Sequence, residues 1–222
     1  MGANKGPTIT KECVEEILDK KFLRVFDLKH REGKHYYDAT RRPADKLVAP
    51  MSEEEFRAML PDAVSCIVVL ELPDREPQLL LSYEFRYPAG RFLLGVPAGL
   101  VDPEDAAKKE PLLETAKREI FEETGLVVDE KRDEIYEINH LLFSTPGMTD
   151  ESNGLVFVRI RCENLDSLTQ VGAEGQECFD GFELVDIDKA KELLKAGVDD
   201  RGHFYSIYTW AALMYFLSGV WK

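Results

Sequence analysis

The stretch from Pro111 to Gly125 constrains the fold of this chain more than any other. It reads as a helix over residues 111–124, stopped by Gly125, a residue type that closes helices in the left-handed conformation without a Cβ penalty. On a wheel of about 100° per residue, Leu113, Ala116 and Ile120 share one arc. Glu119, Glu122 and Glu123 share the adjoining arc of roughly 100°. The apolar arc needs a hydrophobic surface to lie on, and the acidic arc is then held at fixed spacing beside it. Carboxylates at i, i+3 and i+4 repel by about 0.2–0.5 kcal/mol per pair. A bound hard cation would relieve that repulsion. Taken alone, three glutamates more often form a solvated face partnered by Lys117 and Arg118, with Glu114 and Arg118 placed for an i,i+4 pair.

The surrounding sequence supplies the surface. Residues 64–72 and 78–87 are apolar runs of strand length, separated by the turn Asp74-Arg75-Glu76-Pro77. Residues 92–101 read as mixed strand and loop around Pro97-Ala98-Gly99, and further strands are predicted over 135–143, 154–161 and 182–185. Helices are predicted over 187–196 and 206–217, the second inside an aromatic run that reads as core packing. Nearer the N-terminus, residues 1–10 read as frayed and residues 11–20 (KECVEEILDK) as a short amphipathic helix. Residues 22–29 and 34–40 read as strands joined across Arg31-Glu32-Gly33, and Ser52 is placed to cap a short helix that starts at Glu53-Glu54-Glu55. Strands mixed with helices, without regular βαβ alternation, predict an α/β fold: an α/β/α sandwich on a mixed sheet over residues 61–222, with a small β-rich region over residues 1–60. An isolated hairpin is only marginally stable, so the N-terminal region is expected to dock on a partner or on the core.

A net charge of −14 over 222 residues argues against a general nucleic-acid or anionic-membrane surface. It does not exclude an anionic substrate, because a few arginines and a divalent cation can invert the field within one pocket. Apolar residues make up 44% of the chain, enough for a core without metal or disulfide staples. Cys13, Cys66, Cys162 and Cys178 form no C-x-x-C pair and read as reduced, mostly buried thiols. No apolar stretch reaches membrane-spanning length and the start lacks a signal-peptide core, so a cytoplasmic location is expected. His30, His35, His140 and His203 show no ligand spacing, and neither a G-x-x-x-x-G-K-[ST] loop nor a G-x-G-x-x-G turn occurs.

Context changes the weight of the acidic helix. Glu110, seven residues, then Arg118-Glu119-Ile120-Phe121-Glu122-Glu123-Thr124-Gly125-Leu126 resembles the Nudix box, G-x5-E-x7-R-E-U-x-E-E-x-G-U. One departure is plain: ten residues, 100–109, separate Gly99 from Glu110 where the pattern has five. With the helical half intact, this reads as a loop insertion that leaves the ligand spacing alone. The resemblance implies that Glu119, Glu122 and Glu123 bind a divalent cation, Mg²⁺ with Mn²⁺ as an alternative, joined by the backbone carbonyl of Ala98. It also implies that Arg118 orients the box glutamates by ion pairing and that water attacks a phosphorus of a diphosphate.

The strings Tyr83-Glu84-Phe85-Arg86-Tyr87-Pro88 and Gly95-Val96-Pro97-Ala98-Gly99-Leu100-Val101-Asp102 resemble the ADP-ribose pyrophosphatase branch of that superfamily, with Glu84 and Val96 where the branch has Gln and Leu. The resemblance implies that Arg86 contacts phosphate or the terminal ribose. Ser144-Thr145-Pro146-Gly147-Met148-Thr149-Asp150-Glu151 is similar to the branch's S-P-G loop, which makes Glu151 a candidate substrate contact. The branch's general base comes from an acidic loop, here Ala173-Glu174-Gly175-Gln176-Glu177, with Glu177 the first candidate and Glu174 the second. The region before residue 60 resembles a β-domain exchanged across a homodimer, in which Arg41 or Arg42 would reach the ligand. The expected function is hydrolysis of ADP-ribose or a related nucleoside diphosphate sugar to a nucleoside monophosphate and a sugar phosphate. The alternatives are a hydrolase of another nucleoside diphosphate derivative, such as GDP-mannose or a dinucleotide, and a non-catalytic Nudix-fold sensor. An intact glutamate triad counts against the sensor.

Overall fold

A computed structural model describes residues 6–172 and 177–222. The chain divides into two compact units, one comprising the segment up to Pro61 with Leu141–Ser152, the other comprising Asp62–His140 with Asn153–Lys222.

In the first unit, β1 (Val14–Lys20), β2 (Leu23–Leu28) and β3 (Tyr37–Thr40) form an antiparallel sheet in that order. The helix expected over residues 11–20 is therefore overturned: only Lys11–Cys13 make a 3-10 turn, and the rest is strand. The register slips between Glu16 and Leu18, so Ile17 is the extra residue of a β-bulge. That insertion breaks the two-residue alternation and lets Val14, Ile17 and Leu18 imitate helical spacing. Phe26, Leu28 and Leu47 make a small core with Ile9, Val14 and Ala49 packed on it. A short helix α1 (Glu53–Ala58) carries a full capping box, in which Ser52 accepts from the Glu55 N–H and Glu55 accepts from the Ser52 N–H.

The second unit is built on a seven-stranded mixed sheet. Its strands are β4 (Ala63–Glu71), β5 (Gln78–Arg86), β6 (Arg91–Gly95), β7 (Ala98–Leu100), β8 (Glu134–Phe143), β9 (Ser152–Arg161) and β10 (Phe179–Val185). The central order is β10-β5-β4-β9-β8, with β6 paired to β5 and β7 to β4. β4 runs antiparallel to β5 and parallel to β9. Its near-continuous apolar run is explained by burial on both faces. Val64, Cys66, Val68 and Leu70 face one layer, where Leu112, Ala116 and Ile120 of the helix α3 pack. Ile67 and Val69 face the other, covered by Ala190, Leu193, Ala212, Leu213 and Phe216 of two further helices. A four-residue helix α2 (Pro103–Ala106) precedes α3 (Pro111–Thr124), and α4 (Ile187–Ala196) and α5 (Ile207–Ser218) complete the α/β/α arrangement.

The lengthened segment between Gly99 and Glu110 is thus not featureless loop, since it contains α2. α3 ends at Gly125, whose φ of 72° is the left-handed closure that favours glycine. The cysteines are free thiols; Cys66 is buried, Cys13 and Cys162 are partly buried and Cys178 is exposed ahead of β10, which corrects the expectation of mostly buried thiols. Among the described residues no helix is long and apolar enough to cross a membrane.

Candidate active site

Burial of Ala116 and Ile120 against β4 and β9 fixes the rotation of α3, and that rotation turns Glu119 and Glu123 inward toward β7. Both are at least nine-tenths buried, which is unusual for carboxylates. Glu123 Oε1 accepts the Ala98 backbone N–H at 3.3 Å. Glu119 lies against Gly99 so closely that a Cβ there would stand 1.8 Å from its Oε1. A glycine at 99 is therefore a requirement of the carboxylate's position, with no positive φ involved. The Pro97 carbonyl is occupied by the Cys66 N–H, which ties this turn to β4.

Arg118 spreads its guanidinium over the rim of this cluster. Nη1 donates to Glu119 Oε1 at 2.8 Å and to Glu122 Oε2 at 3.0 Å. Nε donates to Asp105 Oδ2 at 2.9 Å, and Nη2 donates to the Leu100 carbonyl at 2.9 Å with Asp102 at 3.3 Å. The inserted segment thus provides Asp102 and Asp105, which the sequence reading did not single out. Asp105 also accepts from the Thr115 hydroxyl and is buried beside α3. Glu114 pairs with Lys117 in place of Arg118.

A further carboxylate arrives from the sheet. Leu80 packs into the α3 layer while Leu79, Leu81 and Tyr83 pack into the opposite one, so strand alternation sends Glu84 and Arg86 to the α3 side. Glu84 forms an ion pair with Arg86. Sequence reading saw Glu84 only as a departure from a family string; its position two residues before Arg86 on one strand face was the available signal.

The electrostatics follow from burial. Burial pushes the Glu119 carboxyl up to about 7, opposed by Arg118 and reinforced by the charges of Glu122 and Glu177. Burial raises Glu123 well above the usual carboxylate range; the Ala98 N–H opposes this, and Glu119, Glu84 and Glu177 add to it. Glu84 is raised by burial, with Arg86 opposing and Glu177 contributing. Glu177 itself is exposed, yet its charge reaches Glu84, Glu119 and Glu123. Glu174 lies outside the described residues.

The donor set suits a hard divalent cation: carboxylate oxygens on a rigid helix, two of them buried and destabilised by one another's charge. Among the described residues no three His, Cys, Asp or Glu side chains already stand at metal-holding spacing. Arg118 Nη1 bridges Glu119 and Glu122 and serves as their counter-charge. Ala98 meets the cluster through its N–H to Glu123.

The other expected substrate contacts sit within the first unit. Arg41 Nε donates to Glu151 Oε1 at 3.1 Å, and Arg42 Nη2 donates to the Ser152 hydroxyl at 3.3 Å. Tyr36 donates to the Gly147 carbonyl, and the Ala39 N–H to that of Met148, so the 144–151 loop is carried on the N-terminal sheet.

Comparison with known proteins decides the family. The NUDIX domain model matches residues 59–206, two thirds of the chain, and spans the acidic cluster on α3 together with Glu84, Arg86 and Glu177. The chain belongs to the Nudix family. An uncharacterized Nudix hydrolase of Schizosaccharomyces pombe is 31% identical over 99 residues, covering 45% of this chain and 43% of that one. A Caenorhabditis elegans relative named for the Nudix hydrolases is 35% identical over 82 residues, covering 37% of this chain and 33% of its own. The chain thus spans less than half the length of these curated relatives. A crystal structure titled as an ADP compounds hydrolase is similar over 94% of this chain and 90% of its own, with a TM-score of 0.51 and 19% identity, which shows a shared fold. The mixed-sheet Nudix architecture with a small N-terminal three-stranded sheet is the fold of this chain.

Proposed function

We propose that this Nudix chain is a Mg²⁺-dependent hydrolase that cleaves the diphosphate linkage of ADP-ribose or a related nucleoside diphosphate sugar, releasing a nucleoside monophosphate and a sugar phosphate. The observation that carries this reading is the pair Glu119 and Glu123, buried beside Gly99 and Ala98 with more carboxylates around them than the fold needs. A sensor would gain nothing from that destabilising arrangement, whereas a diphosphate hydrolase needs it.

In this reading Glu119, Glu122 and Glu123, with the backbone of Ala98, hold the cation. Bound there, the cation lowers the pKa of a water molecule and neutralises charge on the diphosphate oxygens. Arg118 keeps the glutamates aligned from the rim, anchored by Asp105. Glu177, exposed and close enough to influence the cluster electrostatically, accepts the proton of the attacking water. Arg86 meets a phosphate oxygen, and Arg42 and Glu151 of the first unit contribute to substrate binding across a homodimer. ADP-ribose is favoured by the strings around Arg86, Pro97 and Pro146. Glu84 and Val96 depart from that branch and favour, as the second reading, a hydrolase of another nucleoside diphosphate derivative such as GDP-mannose or a dinucleotide.

The test is incubation of the purified protein with Mg²⁺ and a panel of nucleoside diphosphate sugars and dinucleotides, following release of monophosphate, with Glu123→Gln as control. ADP-ribose is expected to turn over fastest. Binding of these ligands without turnover of any would overturn the reading.

A further inference from the structure

On β5, beside the glutamate cluster, an arginine and an acid stand two residues apart on one strand face. Arg86 is half exposed, and the acid beside it, Glu84, lies within reach of the charges of Glu123 and Glu177. In the structure Arg86 pairs with Glu84, two residues back on the same strand face. Glu84 is the more enclosed partner, its side chain 15% exposed against 49% for Arg86. Its backbone is held on both sides, by Leu93 of β6 and Phe179 of β10. The more enclosed carboxylate thus holds the more exposed arginine.

We propose that Glu84 is a positioning residue for substrate: by holding Arg86 through one end of the guanidinium it presents the remaining N–H donors to a substrate phosphate. The guanidinium fork suits this division of labour, because one edge satisfies a carboxylate while the other stays available to an anion. The inference rests on the diphosphate reading of the site and deepens it. Glu84 and Arg86 act as one unit, so a change in either shows mainly in substrate affinity.

Steady-state kinetics of Glu84→Ala, Glu84→Gln, Arg86→Ala and the double variant Glu84→Ala/Arg86→Ala test the pairing. Glu84→Ala is expected to raise KM roughly tenfold with kcat and the half-saturating Mg²⁺ concentration unchanged. Glu84→Gln should fall between, since its amide oxygen still accepts a hydrogen bond without the charge. The double variant should be no worse than Arg86→Ala alone, because coupled residues are not additive. Additive losses, or a raised Mg²⁺ requirement in Glu84→Gln, would overturn the proposal, the second by making Glu84 a cation donor. A readout independent of turnover is the Arg86 Nε–H resonance in ¹⁵N spectra. It should shift toward the position of a solvated arginine in both Glu84 variants, and an unmoved resonance overturns the pairing. Wild-type protein that turns over no member of the panel instead sinks the substrate reading, so the two failures are distinguishable.

Discussion

In the N-terminal unit Asp38 is buried beside Asp150, whose side chain is 9% exposed, and backbone N–H groups meet both: Asp38 Oδ1 accepts from Asp150 and Asp150 Oδ2 accepts from Val48. In the second unit Glu119 and Glu123 are equally enclosed, but the groups around them are further carboxylates, with Arg118 confined to the rim. Both places put negative charge where it is poorly solvated. In the first, the acids splice a loop to a sheet: Asp38 on β3 captures the backbone of the 144–151 loop, and Asp150 captures the chain at Val48. In the second, a single backbone contact to Ala98 does not explain why five acids converge. Asp38 and Asp150 also face each other, with Arg42 beside them, but their backbone contacts tie a loop to a sheet; the acids around Glu123 make one such contact, and on the proposed reading they hold a cation.

The sharpest way to break that contrast is to neutralise one acid of the cluster. Glu123→Gln keeps an oxygen for the Ala98 N–H and removes the charge. Activity is expected to fall by about a thousandfold, the scale of several kcal/mol of metal-assisted catalysis. The melting temperature should not fall, because a buried repulsion is relieved. Full activity, or a clearly lower melting temperature with activity retained, would place Glu123 in the structural class of Asp150.

Gly99→Ala probes the same cluster without touching a charge. The new Cβ would collide with the Glu119 carboxylate, which sits at the end of a flexible side chain and can move. The expected result is a loss of about ten- to a hundredfold in activity or metal affinity, the scale seen when a ligand is misaimed. Stability should change by less than about 1 kcal/mol in thermal unfolding. A stability loss without a catalytic one would show that Gly99 serves the β4–β7 turn alone. Asp105→Asn should act more mildly, reducing activity by roughly tenfold through a looser Arg118, with the half-saturating Mg²⁺ raised in the same titration.

The helix of this cluster was legible because everything about it is local: its bounds, its glycine stop and the placement of its acids follow from a spacing of 3.6 residues. α4 was equally plain, with Asp186 capping it and Gly197 closing it. The N-terminal strand β1 was not, because its bulge at Ile17 spaced apolar residues as a helix would and pairing with β2 overrode the local pattern. α2 went unread because it is four residues long and owes its place to Arg118, thirteen residues beyond Asp105. The role of Glu84 needs the register of β5 between β6 and β10, information that no single stretch contains. Local periodicity exposed the cluster's helix; tertiary pairing supplied its sheet-side and insertion-side partners.

The smallest effect expected is a pH dependence confined to the structural pair. Burial and the neighbouring Asp150 charge raise the Asp38 carboxyl from 3.8 to about 6, opposed by the Asp150 N–H and Arg42. The folded state therefore holds this proton more tightly than the unfolded chain does. The stability linked to it is complete below about pH 4 and is lost as pH rises toward 6. Asp38→Asn mimics the protonated acid and keeps an oxygen for the Asp150 N–H. Its melting temperature should exceed wild type at pH 7, and the difference should vanish as the pH falls to about 4. An advantage that persists unchanged at pH 4 would mean that the repulsion with Asp150 is not what distinguishes the two proteins. A variant less stable than wild type at pH 7 would mean that the Asp38 charge is compensated after all, by Arg42, and that the two buried acid groups differ in the strength of their counter-charge more than in the kind of partner they hold.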